Sequence, residues 1–201
     1  MSAIQDGLRF KTAFTTTAWV LIPVAIAINM IGRFLVVNVL NLPLFVDTAG
    51  TTMIAFLAGP WVAAVAGILT NLVFGLTLEA TSIPFGIVNA AIGIVAGVMA
   101  AHGFLRSTGK VILLILALTA VTILTAMPIV VLVFQGVSGS GVDAVTGFFV
   151  ASGRNMVESV LGQQLLTTPG DKVVTVLLAF ALIKGVPARY RPPFGREVIP
   201  F

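Results

Sequence analysis

The run 111–134 contains no charged residue, and it is longer than the roughly 20 residues a helix needs to cross the hydrocarbon of a bilayer. Predominantly apolar runs recur at 16–39, interrupted by Arg33, and at 61–78 and 85–101, with shorter ones at 47–58 and 171–184 that carry charge at their ends. Inside lipid the backbone must satisfy its own hydrogen bonds, and apolar runs of this length do so as helices. Composition agrees: 58% of the chain is hydrophobic and 9% charged, where a soluble domain carries about a quarter charged residues. The expected fold is an all-α integral membrane bundle of about six transmembrane helices, forming a single domain over 1–201.

Within the first span, Pro23 predicts a kink. The second span is short and stops at Gly59-Pro60, with Trp61 as an interfacial anchor heading the third. A polar loop, 79–84, precedes the fourth span, and a basic loop, 102–110, follows it. Beyond the fifth span come a Gly/Ser-rich loop, 135–141, a short apolar helix opened by Asp143, and an amphipathic stretch, 154–166, with Arg154 and Glu158 at i,i+4. Thr168-Pro169-Gly170-Asp171 reads as a helix start, with Thr168 as N-cap and Pro169 at the first helical position. The sixth span then begins at Asp171. The first apolar run is read as a retained helix rather than a cleaved leader.

Charge predicts the orientation. With both termini cytoplasmic, the inner segments hold Arg9, Lys11, Arg106, Lys110, Lys184, Arg189, Arg191 and Arg196, and 187–201 is a basic cytoplasmic tail. Asp47, Glu79, Asp143, Glu158 and Asp171 then fall toward the outer side. The opposite orientation would break the positive-inside rule. The same rule accounts for the net charge of +4, so no nucleic-acid partner is expected. Small residues at Gly93-Ile94-Val95-Ala96-Gly97, and at Ala63 and Gly67, predict close helix–helix contact.

Cysteine is absent and His102 is the single histidine. Thiolate sites, clustered metal ligation and histidine-based catalysis are therefore not expected. No Walker, HExxH or nucleophile-elbow pattern occurs. The chain reads as a non-enzyme without a resident cofactor or metal. The candidate substrate-binding residues are the polar groups that lipid tolerates poorly: Asp47, Thr51, Asn71, Glu79, Asn89, Gln135, Asp143, Arg154, Asn155 and Asp171. For Asp47 two readings stand, a helix-start carboxylate paired with Arg33 or a ligand contact. For Asn71 and Asn89 the choice lies between bonds across helices and ligand recognition. Phe45 and Phe85 are candidate apolar walls, and Gln135 with the Gly/Ser loop and Asp143 a candidate lid.

In their order, Leu42-Pro43-Leu44-Phe45-Val46-Asp47-Thr48-Ala49-Gly50-Thr51, Gly59-Pro60-Trp61, Thr70-Asn71, the 136–143 loop and Asp171-Lys172 resemble the substrate-binding S component of energy-coupling factor (ECF) transporters. The resemblance covers about 24–187. It implies a prokaryotic cell-membrane protein that captures a vitamin-like small molecule at the outer side. It also implies partners: a transmembrane coupling protein and two cytoplasmic ATPase subunits. Many members dock through an Ala-x-x-x-Ala patch in the first helix. The corresponding stretch here is Ala25-Ile26-Ala27-Ile28-Asn29, with Ala18 and Ala25 as candidate replacements. The alternative function is a membrane-embedded sensory or regulatory module without transport activity.

Overall fold

In the computed structural model the described residues are 2–40, 42–138 and 142–200. Among them every regular element is helical. Five helices are long and apolar enough to cross a membrane, within Thr16–Val37, Pro60–Thr77, Ala80–Ala101, Thr108–Val133 and Met156–Lys184, and Ala49–Ala58 is a shorter apolar one. The chain is an all-α membrane bundle, as expected; five helices have crossing length against the six expected, the second expected span being the short helix Ala49–Ala58.

Two small helices, α1 (Ala3–Leu8) and α2 (Phe10–Ala13), precede α3 (Thr16–Arg33). Thr15 caps α3 by accepting the Ala18 N–H at 3.2 Å. Its inward stripe is Ala18, Ile22, Ala25 and Asn29, the spacing of one helical face, flanked by the half-buried Leu21, Ile26 and Ile28, while Trp19, Val20, Val24 and Ile31 look outward. The helix runs on through Pro23 and finishes in wide π-type turns over Phe34–Val39.

Next comes α4 (Ala49–Ala58), in which every residue is buried. Ten residues rise about 15 Å, half the hydrocarbon thickness. This helix has no lipid face; it is the axis around which the longer helices stand. Gly59 ends it at φ +91°, a left-handed turn open to glycine. Pro60 then opens α5 (Pro60–Thr77) at a position where its missing N–H costs nothing.

The chain passes through a 3-10 turn, Ala80–Phe85, into α6 (Gly86–Ala101). The two small-residue stripes meet as expected. A Cβ at Gly67 would lie 2.8 Å from the Asn89 backbone, one at Gly93 2.8 Å from that of Ala63, and one at Gly97 2.5 Å from the Pro60 nitrogen. The α5 and α6 backbones are therefore in direct contact, where dispersion is strongest in lipid. Helix α7 (Thr108–Pro128) continues in π-type turns over Ile129–Val133, and α8 (Asp143–Ala151) packs beside α9 (Met156–Lys184).

Helix α9 differs from the sequence expectation. It is continuous for 29 residues through Pro169, so 154–166 and 171–184 are one helix and no helix begins at Thr168. Its true cap is Asn155, whose Oδ1 accepts the Glu158 N–H at 2.9 Å. Arg154 lies outside the helix, so the expected i,i+4 pair with Glu158 is not made. Proline persists inside membrane helices because neighbouring groups re-satisfy the local backbone. Asp171, expected at the start of its own helix, instead lies within α9 and serves another segment.

Both ends of the chain meet at one end of the bundle. Glu197, in α10 (Pro193–Val198), accepts the Ala3 N–H at 2.9 Å and the Ile4 N–H at 3.3 Å. Phe194 and Val198 are buried beneath α4. Trp61 Nε1 donates to the Leu8 carbonyl at 2.8 Å, and its ring meets Phe10 edge-on. From this end α3, α4, α5, α6, α7 and α9 alternate in direction, and among the described residues five of these six are long enough to cross a membrane.

Candidate functional site

At the far end of α4, away from the termini, the helices part around a cavity of about 100 Å³. On this scale a single water needs roughly 10–15 Å³, so the space holds several waters or the polar portion of a small molecule. Its wall is drawn from α3, the 44–48 turn, α5, the 79–85 segment, α6, α7, the start of α8 and α9. Leu44, Phe45, Phe85, Val88 and Ile92 supply apolar surface, and Phe85 stacks on Phe134 with parallel rings 5.7 Å apart.

Two compensated charge groups face this space. The Arg33 guanidinium bonds the Glu79 carboxylate, lies 3.8 Å from Asp47 Oδ2, and sits over the Phe74 ring at 4.4 Å. It thus meets an anion on two sides and an aromatic face on a third. The second group is Lys172, only 2% exposed, whose Nζ donates to Asp171 Oδ2 at 2.7 Å and Thr48 Oγ1 at 3.1 Å. A buried ammonium is tolerable only with such partners.

Asp171 does more than neutralise Lys172. Its Oδ1 accepts the backbone N–H groups of Phe45 at 3.1 Å and Val46 at 2.8 Å. Val46 has φ +49°, a left-handed conformation that is rare for a β-branched residue. The carboxylate of α9 therefore holds a strained turn at the cavity wall.

Beneath the cavity, Asn29 ties three helices together. Its Oδ1 accepts the Gly50 N–H at 2.7 Å and the Thr51 N–H at 3.3 Å, while Nδ2 donates to Thr51 Oγ1 and Thr70 Oγ1. A side chain of α3 thus caps the orphan N–H groups at the start of α4. On the opposite wall, Asn71 Nδ2 donates to the Ser82 carbonyl at 3.1 Å and Asn89 Nδ2 to Asn71 Oδ1 at 2.9 Å. Three lining residues have a buried polar atom with no hydrogen-bond partner in the protein, Ser82 Oγ, Asn89 Oδ1 and Gln164 Oε1, as do Thr52, Thr119 and Thr175, through their hydroxyls, elsewhere in the bundle. Buried polar groups ordinarily have one.

Of the residues singled out from the sequence, Asp47, Asn71, Glu79, Asn89, Asp143 and Asp171 line the cavity together. Thr51 lies below it, engaged with Asn29. Gln135 is exposed at φ +50°, and Arg154 and Asn155 are exposed at the end of α9. These four are not in the wall. Asp143 accepts from Ser138 Oγ at 3.1 Å; the centre of the expected lid, 139–141, lies outside the described residues, as does Asn41. Ala18 and Ala25, the candidate docking residues, are fully buried inside the bundle and cannot form an exposed patch.

The wall also contains Lys172, Gln163, Gln164, Thr167 and Thr168, which reading the sequence did not select as ligand contacts. Their spacing is informative once α9 is continuous: 163, 167 and 171, and 164, 168 and 172, each recur every four residues on one face. Among the described residues no group of three or more His, Asp or Glu side chains is gathered closely enough to hold a metal ion. Comparison with protein-family models, with curated proteins and with solved structures returns no match.

Proposed function

We propose that this protein captures a vitamin-like small molecule in the cavity between α6, α7 and α9, as the substrate-binding S subunit of an ECF-type importer in a prokaryotic cell membrane. The observation that carries the reading is a cavity inside a membrane bundle whose mainly apolar wall also carries charged and amide side chains, three of its residues having a buried polar atom unpaired by the protein. Apolar helices need no such interior, and each unpaired group costs free energy unless something bonds it.

Two further features support it. The cavity lies at the opposite end of the bundle from both termini and their basic residues. By the positive-inside rule that end is external, which suits capture from outside. The bundle also contains no motif for ATP hydrolysis, so accumulation against a gradient needs energising partners: a transmembrane coupling protein and two ATPase subunits. The docking surface for that coupling protein is not the Ala18–Ala25 stripe, which is buried.

The test is purification of the tagged chain from its native membranes in mild detergent, followed by identification of stoichiometric partners. A membrane protein and two ATPases are expected to co-purify, and reconstitution of the set is expected to give ATP-dependent uptake. A chain recovered without any ATPase, but in complex with a kinase or transcription factor, contradicts import and favours the sensory alternative.

A further inference from the structure

We infer that the cavity selects a planar cation rich in N–H donors, of the amidinium or amino-heterocycle class, over carboxylates and phosphates; this deepens the capture reading and rests on it. The argument starts at the Ser82 backbone carbonyl, which can only accept. It obliges Asn71 to present Nδ2 at 3.1 Å, leaving Asn71 Oδ1 as an acceptor, and Asn89 must then turn its own Nδ2 toward it at 2.9 Å. An amide's two ends are often interchangeable, but this chain of bonds sets both. Asn89 Oδ1 is left over, 2% exposed and unpaired. A carbonyl oxygen in that position calls for a ligand donor. Across the cavity on α9, Gln164 is 5% exposed and adds a side-chain amide that no hydrogen bond fixes, so either of its ends is free to meet a ligand.

Charge points the same way. Four carboxylates and two cations line the cavity. Both cations are already engaged, Arg33 by Asp47 and Glu79, and Lys172 by Asp171 and Thr48. An anionic ligand would enter a region of net negative charge with no uncommitted cation to meet it, and an unpaired buried charge is expensive. A cationic ligand meets excess carboxylate and amide oxygen. The ring of Phe85, backed in parallel by Phe134, offers a flat apolar surface beside these acceptors, which favours a planar molecule.

Benzamidine, benzamide and benzoate share one ring and nearly one size while differing in charge and donor number. Calorimetric titration of each into the full chain, washed free of retained molecules in detergent, reads the selectivity directly. Benzamidine is expected to bind at least about tenfold more tightly than benzoate, with benzamide between them. Asn89→Leu, which removes the unpaired acceptor, is expected to weaken benzamidine about tenfold, the scale of one hydrogen bond to a charged group. Gln164→Glu keeps side-chain size while adding charge, and is expected to strengthen benzamidine and weaken benzoate; it carries the test if Asn89→Leu does not fold. Equal or tighter binding of benzoate overturns the inference while leaving capture of another ligand class standing. Failure of benzamidine to saturate the site, or indifference to both substitutions, overturns it too. The capture reading itself falls separately, if no small molecule is retained by the native protein.

Discussion

Arg33 holds two carboxylates from different parts of the chain, Asp47 fourteen residues on and Glu79 at the far end of α5. Replacing it by methionine keeps the bulk and abandons both anions in a poorly solvated wall. Arg33→Met is expected to destabilise the bundle by about 1–2 kcal/mol, less than breaking a fully buried pair because the Asp47 and Glu79 side chains are 23% and 30% exposed. Adding Asp47→Asn and Glu79→Gln is expected to restore most of the lost thermal midpoint in detergent; no recovery would mean that Arg33 acts through packing alone. Asn29 is a second such residue. Asn29→Ala unpairs two backbone N–H groups and the Thr51 hydroxyl, while Thr70 Oγ1 keeps its bond to the Ala66 carbonyl, and a loss of about 1–3 kcal/mol is expected in the same melting assay. The Arg33–Asp47 pair was legible in the sequence because the two residues flank one hairpin. Asn29 was not: its bonds run to α4 and α5, and it had no distinguishing neighbour in the sequence.

At the level of helices, the contact between α5 and α6 was legible as small residues at four-residue spacing, because membrane helices approach closely only where side chains are small. Gly93→Val forces the α5 backbone away and is expected to cost about 1–3 kcal/mol. Gly147→Ala in α8, where a Cβ would meet nothing within 4 Å, is expected to be neutral or slightly stabilising. Equal effects would refute direct contact of the two backbones. The start of α9 was misread for a physical reason. Thr-Pro-Gly-Asp carries the local chemistry of a helix start, and only tertiary bonds show that Asp171 is spent on the turn at Phe45 and Val46. Hydrogen exchange can test that role. Asp171→Ala is expected to speed exchange of the Phe45 and Val46 amides while leaving those in the middle of α4 protected; unchanged protection at the turn would remove Asp171 as its latch.

For the molecule as a whole, alternation of six helices brings both termini to one end and the cavity toward the other. Most of the long helices and their order were legible because hydrocarbon thickness sets helix length and charge avoids lipid, though the last begins at Met156 rather than Asp171. The complete enclosure of α4 was not, since a ten-residue apolar run reads the same whether it touches lipid or protein. The same limit applied to the cavity wall: six of the ten selected residues reached it, while the polar stripe of α9 was hidden by the misplaced break at Pro169. Because the chain has no cysteine, an introduced thiol is its only one. Ser107→Cys, in the basic loop, and Ser152→Cys, beyond α8, are both exposed and are expected to label from opposite faces of the membrane, Ser152→Cys from outside; labelling from one face would break the topology. The most direct test of the account is mass spectrometry of the small molecules released on denaturing the protein, purified gently from its native membranes. One compound in near-stoichiometric amount is expected from the wild-type chain, and much less from a chain carrying Asn89→Leu and Gln164→Leu. Release of no compound, or equal amounts from both chains, would contradict it.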